Sequence, residues 1–478
     1  MELKKQAVHG AIWVFAEQFG SQLIGFVLNL ILARILLPSD FGTIALFSIV
    51  MSIGNVLVQG GMSSSLIRNA QNDERDYSTV FWFNIASAVL IYLVVYFIAP
   101  LFAQFFEVEI LTSLIRVFSL ILIIDSFAMV QGVKFVKELD FKKNFKIQLP
   151  SLLIGGGCGV YFAMNGYGVW SLVYYSLIQN SIFMIQHWLY SSWRPSFSFD
   201  MQKFKYHFGF GVNMTLSALL NVVVANIYTI ILGKKFSPSI LGYYNRADGL
   251  KQLPINNISN TLNKVTFPLF AEIGDDNIRF RNSFRELQML VMFIVSPLVG
   301  ILIVSAEPII RVLYTEKWLP AVPYLQILSL AGVFQPVQSY NLNVLQIKGR
   351  SDLFLKLEVV KKIIIVLVVV VSLPFGLFAL VWGQVLISIL SLFVNSFYTG
   401  KFIKYSIFDQ IVDLLFSLFL SSIIGLIIWI IDLYYFQYLL DLVRIGLISL
   451  TFLIVYFIVS VLLKRNEIKL IYSLIKRK

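Results

Sequence analysis

Runs of about twenty mostly apolar residues recur along the whole chain, and no other feature restricts its fold as much, because a helix of about that length crosses the hydrocarbon core of a bilayer. They stand near residues 11–33, 42–64, 79–103, 111–132, 148–165, 168–190, 208–232, 247–271, 287–310, 322–347, 359–377, 378–399, 410–431 and 442–463. That pattern predicts an all-α membrane protein of about 14 transmembrane helices. Composition agrees: 58% of the 478 residues are hydrophobic and 13% charged, a balance foreign to water-soluble domains. Lys4 and Lys5 precede the first run as in a signal peptide. That run has no small-residue cleavage site, so it is expected to be retained as a span.

The net charge of +12 would suggest nucleic acid in a soluble protein. Here most Lys and Arg fall in the tails and in alternate connections, such as Lys134, Lys137, Lys142, Lys143 and Lys146. The bias therefore reads as topology, with both termini cytoplasmic and no nucleic-acid partner. The opposite connections, such as Pro38-Ser39-Asp40, are too short to hold a domain. Cys158 is the single cysteine, which excludes an intramolecular disulfide and a cysteine-based metal site.

One hairpin occurs twice. Ile31-Leu32-Ala33-Arg34-Ile35-Leu36-Leu37-Pro38-Ser39-Asp40-Phe41-Gly42 returns about 200 residues later as Ile231-Leu232-Gly233-Lys234-Lys235-Phe236-Ser237-Pro238-Ser239-Ile240-Leu241-Gly242. Each copy has an apolar run, a cation, Pro-Ser to end the helix and a Gly where the next begins. Ala99-Pro100 and Glu307-Pro308, then Gly168-Val169-Trp170 and Gly376-Leu377-Phe378, extend the correspondence. Two six-helix lobes in parallel repeat are expected, residues 1–200 and 201–405, followed by two further helices and a basic tail over 406–478.

Polar residues within spans are costly and tend to face a bundle interior or a watery cavity. Gln18, Gln22, Gly25 and Asn29 share one face of the first span, and Asn213, Ser217, Asn221 and Tyr228 one face of the seventh. The eighth carries Arg246, Asp248 and Lys251 near its start, then Asn257, Asn260 and Lys264 on one stripe; the tenth adds Gln335, Gln338, Asn341 and Gln346. Such residues also glue helices together, and Arg246 and Lys251 can snorkel or pair with Asp248. Cations in a wet cavity suit a phosphate or diphosphate, which Arg grips through paired hydrogen bonds. Arg34 could join that anion site or anchor the helix end. Glu17, Asp125 and Glu307 are candidates for coupling transport to H⁺ or Na⁺. No phosphate-binding loop of the Gly-x-x-x-x-Gly-Lys type occurs, no cofactor is expected, and the scattered His9, His187 and His207 make no metal site. Gly155-Gly156-Gly157-Cys158-Gly159 reads as a close-packing stretch.

Gly10-Ala11-Ile12-Trp13, Leu32-Ala33-Arg34-Ile35, Asp40-Phe41-Gly42, Tyr243-Tyr244-Asn245-Arg246-Ala247, Phe267-Pro268-Leu269-Phe270-Ala271-Glu272-Ile273 and Glu316-Lys317-Trp318 occur in that order. Over roughly residues 8 to 400 the chain resembles the polysaccharide exporters of the multidrug, oligosaccharidyl-lipid and polysaccharide flippase superfamily, the colanic-acid and O-antigen type above all. The resemblance implies a V-shaped, MATE-like pair of lobes in the bacterial plasma membrane. It also implies ion-driven transfer of a polyprenyl-diphosphate-linked oligosaccharide for lipopolysaccharide or other surface polysaccharide, alongside polysaccharide assembly proteins. Peptidoglycan-precursor flippases of that superfamily carry several arginines in their first helix; here Glu17 and glutamines stand there instead. The expected function is thus a flippase, not an enzyme. The alternatives are a cation-coupled drug exporter of the same fold, whose cavity should be acidic, and a membrane glycosyltransferase or polymerase, which needs larger extracytoplasmic loops than these.

Overall fold

The structure, a computed structural model, describes residues 2–69, 71–273, 276–465, 467–470 and 472. Side chains are described at Trp13 and from Gln18 onward, except at the remaining positions and at 141, 261–265, 267–268 and 271. Among the described residues the fold is all-helical, with no strand, and the chain divides into two compact units, residues 1–242 and 243–478.

The first unit contains α1 (Glu2–Ile35), α2 (Pro38–Gln59), α3 (Met62–Arg68), α4 (Glu74–Phe106), α5 (Leu111–Phe118), α6 (Leu120–Lys137), α7 (Phe141–Met164), α8 (Val169–Tyr190), α9 (Met201–Ala225) and α10 (Ile227–Lys235). α11 (Pro238–Glu272) starts in this unit and continues into the next. Local chemistry sets the helix starts. Pro38 opens α2, where its missing N–H costs nothing, and Asp40 accepts the Leu37 N–H at 2.9 Å. Asp73 caps α4 by accepting the N–H groups of Arg75 and Asp76 at 2.9 and 3.0 Å, while Asp76 accepts the Asp73 N–H at 2.8 Å. Hydrogen bonding from Lys203 holds the Asp73 carboxyl well below the usual carboxylate range.

Helices in lipid gain little from hydrophobicity when they associate, so close approach through small residues does much of the packing. A Cβ at Gly155 would come 2.6 Å from the Gln179 Cβ, and one at Gly159 2.7 Å from the Tyr175 Cβ, which seats α7 tightly on α8 as the glycine-rich stretch predicts. The two hairpin copies meet each other glycine to glycine. A Cβ at Gly42 would overlap the Pro238 carbonyl and stand 3.1 Å from the Gly242 nitrogen; one at Gly242 would overlap the Pro38 carbonyl and stand 3.3 Å from the Gly42 nitrogen. Beside them Lys234 pairs with Glu107 at 2.8 Å, which lowers the Glu107 carboxyl below its ordinary range.

The second unit contains α12 (Asn277–Val304), α13 (Ala306–Tyr314), α14 (Val322–Gly332), α15 (Gln335–Ile347), α16 (Ser351–Ser372), α17 (Leu377–Ile403), α18 (Ile407–Tyr434) and α19 (Asp441–Leu462). Phe270, Phe280, Phe284, Tyr340 and Tyr405 form the centre of its larger core. α18 and α19 join α12 through Phe293, Ile424, Ile448 and Phe452.

Several expected single spans are two helices in sequence. The run at 111–132 stays one membrane-crossing segment, Leu111–Lys137, despite a one-residue turn at Ser119, whereas 208–232 breaks at Asn226, 287–310 at Ser305 and 322–347 around residues 333–334. In the last of these the second piece begins Gln335-Pro336, and a proline suits a helix's first turn but not its interior. Ten segments are long and apolar enough to cross a membrane among the described residues. The expected spans at 168–190, 247–271, 322–347 and 359–377 coincide with α8, α11, α14 with α15, and α16, which are too polar or too short to be in that set. The protein is a multi-pass membrane protein.

Candidate functional site

α11 concentrates the polar side chains that the sequence singles out in the second unit. The Arg246 guanidinium lies 5.9 Å from the centre of the Tyr314 ring and is hydrogen-bonded to that tyrosine. Lys251 is 5% exposed; its Nζ contacts Asp248 Oδ1 at 2.5 Å, one turn back on the same helix. Its methylene stem lies against α14, where a Cβ at Gly332 would come 3.2 Å from Lys251 Cδ. The pairing with Asp248 weighed from sequence is therefore the arrangement present. Further along, Asn256, Asn257 and Asn260 are exposed, and Asn256 Oδ1 accepts from Gln335 Nε2 at 3.2 Å. The side chain of Lys264 lies outside the described residues.

α11 thus presents an arginine with a tyrosine partner, then a lysine–aspartate pair, then a row of amides. A guanidinium and an ammonium bind anionic oxygen, whereas exposed amides both donate to and accept from hydroxyl groups. Such a series fits a ligand with an anionic end and a hydroxyl-rich body.

α15 divides its polar residues between two uses. Gln338 donates to the Ser388 carbonyl at 2.9 Å and to Ser388 Oγ at 3.2 Å, binding α15 to α17. Asn341 is fully buried and donates to the Val337 carbonyl at 3.1 Å, while Thr399 donates to its backbone carbonyl at 3.0 Å. Both side chains are engaged by bonds within this unit, whereas Gln346 is exposed.

In the first unit Gln18 and Gln22 are exposed on α1, and Asn29 donates to the Gly25 carbonyl at 2.8 Å. Arg34 is exposed in the last turn of α1, where a cation complements the helix dipole. On α9 Asn213, Ser217 and Asn221 are exposed, while Tyr228 on α10 is buried.

The coupling candidates differ in their surroundings. Asp125, half-buried in α6, has no hydrogen-bond or ion-pair partner among the described residues. Glu307 is held by Arg311 at 2.6 Å and by Arg444 at 3.2 Å. Arg444 is itself bidentate on buried Asp432, with both bonds at 2.6 Å. The side chain of Glu17 lies outside the described residues.

Sequence reasoning missed Tyr314, the Arg246 partner, and the hydrogen bond between Tyr244 and Gln384. It also missed an apolar recess of about 500 Å³ that α18 forms against α12, α14 and α17, lined by Val299, Ile327, Leu330, Trp382, Leu426 and Trp429 among others. Asn256 had a signal, since it precedes Asn257 directly.

A family profile described as "Polysaccharide biosynthesis protein" matches residues 31–323, more than half of the chain. The chain belongs to that family. The chain is 27% identical over 356 residues to the teichuronic acid biosynthesis protein TuaB of Bacillus subtilis strain 168, covering 73% of each chain. It is 23% identical over 432 residues to the lipopolysaccharide biosynthesis protein WzxC of Escherichia coli K12, covering 90% of this chain and 88% of WzxC. Among solved structures, its fold is that of the lipid II flippase MurJ in an inward closed conformation: TM-score 0.74 at 17% identity, over 95% of this chain and all of that one. The resemblance read from the sequence is borne out, and it places a polysaccharide biosynthesis protein on a flippase fold.

Proposed function

We propose that this protein moves a polyprenyl-diphosphate-linked oligosaccharide from the cytoplasmic to the outer leaflet of a bacterial plasma membrane by alternating access. The observation that carries this reading is the ordered polar row on α11, which runs from Arg246 through Lys251 to Asn257 and Asn260. The guanidinium and ammonium suit a diphosphate, and the amides suit sugar hydroxyls. The apolar recess beside Trp382 and Trp429 offers a hydrocarbon chain a surface at membrane depth. WzxC and TuaB, whose names place them in lipopolysaccharide and teichuronic acid biosynthesis, support a surface-polysaccharide precursor as the cargo. The MurJ-like fold supports translocation in place of synthesis.

In this reading about 14 transmembrane helices form two parallel-repeat lobes over residues 1–200 and 201–405, with the last two helices appended and both termini cytoplasmic. Transport is coupled to H⁺ or Na⁺, and of the two carboxylates whose side chains are described Asp125 is the better suited to it, since it has no partner among the described residues and can bind a cation in one state and release it in another. Glu307, already between two arginines, is less so.

The test is Arg246→Ala in a host whose surface polysaccharide depends on this gene. Losing a charge-assisted bond of about 1.5–3 kcal/mol weakens transport roughly tenfold to a hundredfold. Surface polysaccharide should fall and its lipid-linked precursor accumulate while the amount of protein in the membrane is unchanged. Normal polysaccharide at that protein level would remove the diphosphate site, and drug efflux without a polysaccharide defect would favour an exporter of small cations.

A further inference from the structure

Two of the stretches that carry the family resemblance, Tyr243-Tyr244-Asn245-Arg246-Ala247 and Glu316-Lys317-Trp318, lie far apart in the chain and meet in the second unit. Trp318 is fully buried. Its ring meets that of Tyr243 edge-on, with centroids 5.9 Å apart, and that of Tyr314 at 5.7 Å. Tyr314 is 5% exposed, and its hydroxyl accepts from the Arg246 guanidinium, which has donors only. Tyr243 and Arg246 stand three residues apart on one face of α11. The four side chains therefore close a ring: α11 touches Trp318 through Tyr243 and Tyr314 through Arg246, and Trp318 backs Tyr314.

The chain departs from ordinary backbone geometry to build this ring. α13 gives way at Thr315, whose N–H donates to the Arg311 carbonyl at 3.1 Å and whose own carbonyl accepts the Trp318 N–H at 3.1 Å, opening the 3₁₀-helix Glu316–Ala321. Thr315 has φ 79° and ψ 174°. Glu107 and Lys404 also have positive φ at helix ends, but with ψ of 37° and 43° they adopt the left-handed conformation that closes many helices. The Thr315 combination belongs almost wholly to glycine, and a β-branched residue there is strained. Such strain persists where the surroundings over-determine it. Here they do so from two sides: Trp318 packs behind Tyr314, while Arg311 and Glu307 tie α13 to Asp441 and Arg444 of α19 at 3.1 and 3.2 Å.

A flexible arginine surrenders rotamer freedom when it binds an anion, and a guanidinium already held has less to lose. The Tyr314 hydroxyl is a fixed acceptor of that kind, on a short helix tied to α19 and backed by an indole. We propose that Tyr314 is the positioning residue of Arg246, setting its guanidinium in place before a diphosphate arrives. The inference rests on the anion site proposed above and adds to it the residue that aims its arginine.

The experiment uses the full chain in detergent micelles, with inorganic pyrophosphate as the probe and titration calorimetry as the readout. Arg246→Ala defines the binding that belongs to the guanidinium. Tyr314→Phe keeps the ring against Trp318 and removes the hydroxyl. It should weaken pyrophosphate binding roughly twofold to tenfold, the cost of ordering one long side chain. Made together with Arg246→Ala, the same change should weaken the residual binding no further, since no guanidinium is left to hold. A packing role would weaken both backgrounds alike, and that result, or wild-type binding in Tyr314→Phe, overturns the proposal. Arg246→Ala that binds pyrophosphate as the wild type does would remove the diphosphate site and this inference with it. Binding that needs Arg246 and ignores Tyr314 overturns this inference alone.

Discussion

Gln338 and Asn257 are both amide-type residues on helices of the same unit, and their surroundings assign them opposite roles. Gln338 is engaged with Ser388 of α17, whereas the Asn257 side chain is exposed on α11. Hydrogen bonds between membrane helices contribute about 0.6 kcal/mol and at most about 1.7. Gln338→Leu should therefore lower stability by that amount in a thermal melt and leave transport near normal. Asn257→Leu should leave the melt unchanged and reduce transport of the oligosaccharide. Helical phase places both on candidate faces, because phase tells which side of a helix a residue occupies. It does not tell whether a neighbouring helix offers an acceptor there. The pairing of Asp248 with Lys251 was legible for the opposite reason, since both partners lie within one turn. The tyrosine that meets Arg246 lies far along the chain and left no trace in local spacing.

At the scale of elements, the repeated hairpin is a junction as well as a marker of duplication. Gly42 and Gly242 allow two helix starts to approach closer than side chains would permit. Gly42→Ala should push them apart at a cost of about 1–3 kcal/mol, typical of overpacking, and lower the melting temperature of the purified protein. Gly25→Ala is the control, because a Cβ there meets nothing within 4 Å; it should be neutral or stabilise by up to about 1 kcal/mol, the helix preference of Ala over Gly. A repeat in sequence states likeness and not distance, so the copies were legible and the backbone-to-backbone approach of their glycines was not. The break at Asn226 was hidden because apolar residues continue on both sides of it, whereas those at Ser305 and residues 333–334 left a trace in Pro308 and Pro336 just beyond them.

For the molecule as a whole, the bilayer makes the fold class readable. Apolar length is a direct requirement for crossing, and a family profile and a flippase fold agree with the class it implies. The function is less directly written, since the row on α11 must be polar enough to hold sugar and phosphate, and that polarity takes the segment out of the set with clear membrane-crossing character. Reconstitution tests the central claim most directly. Purified protein in vesicles loaded with a polyprenyl-diphosphate oligosaccharide in one leaflet should bring the sugar to a lectin on the other side faster than protein-free vesicles do. Arg246→Ala should remove most of that acceleration. Transfer no faster than in protein-free vesicles, or an acceleration indifferent to Arg246, would contradict the account.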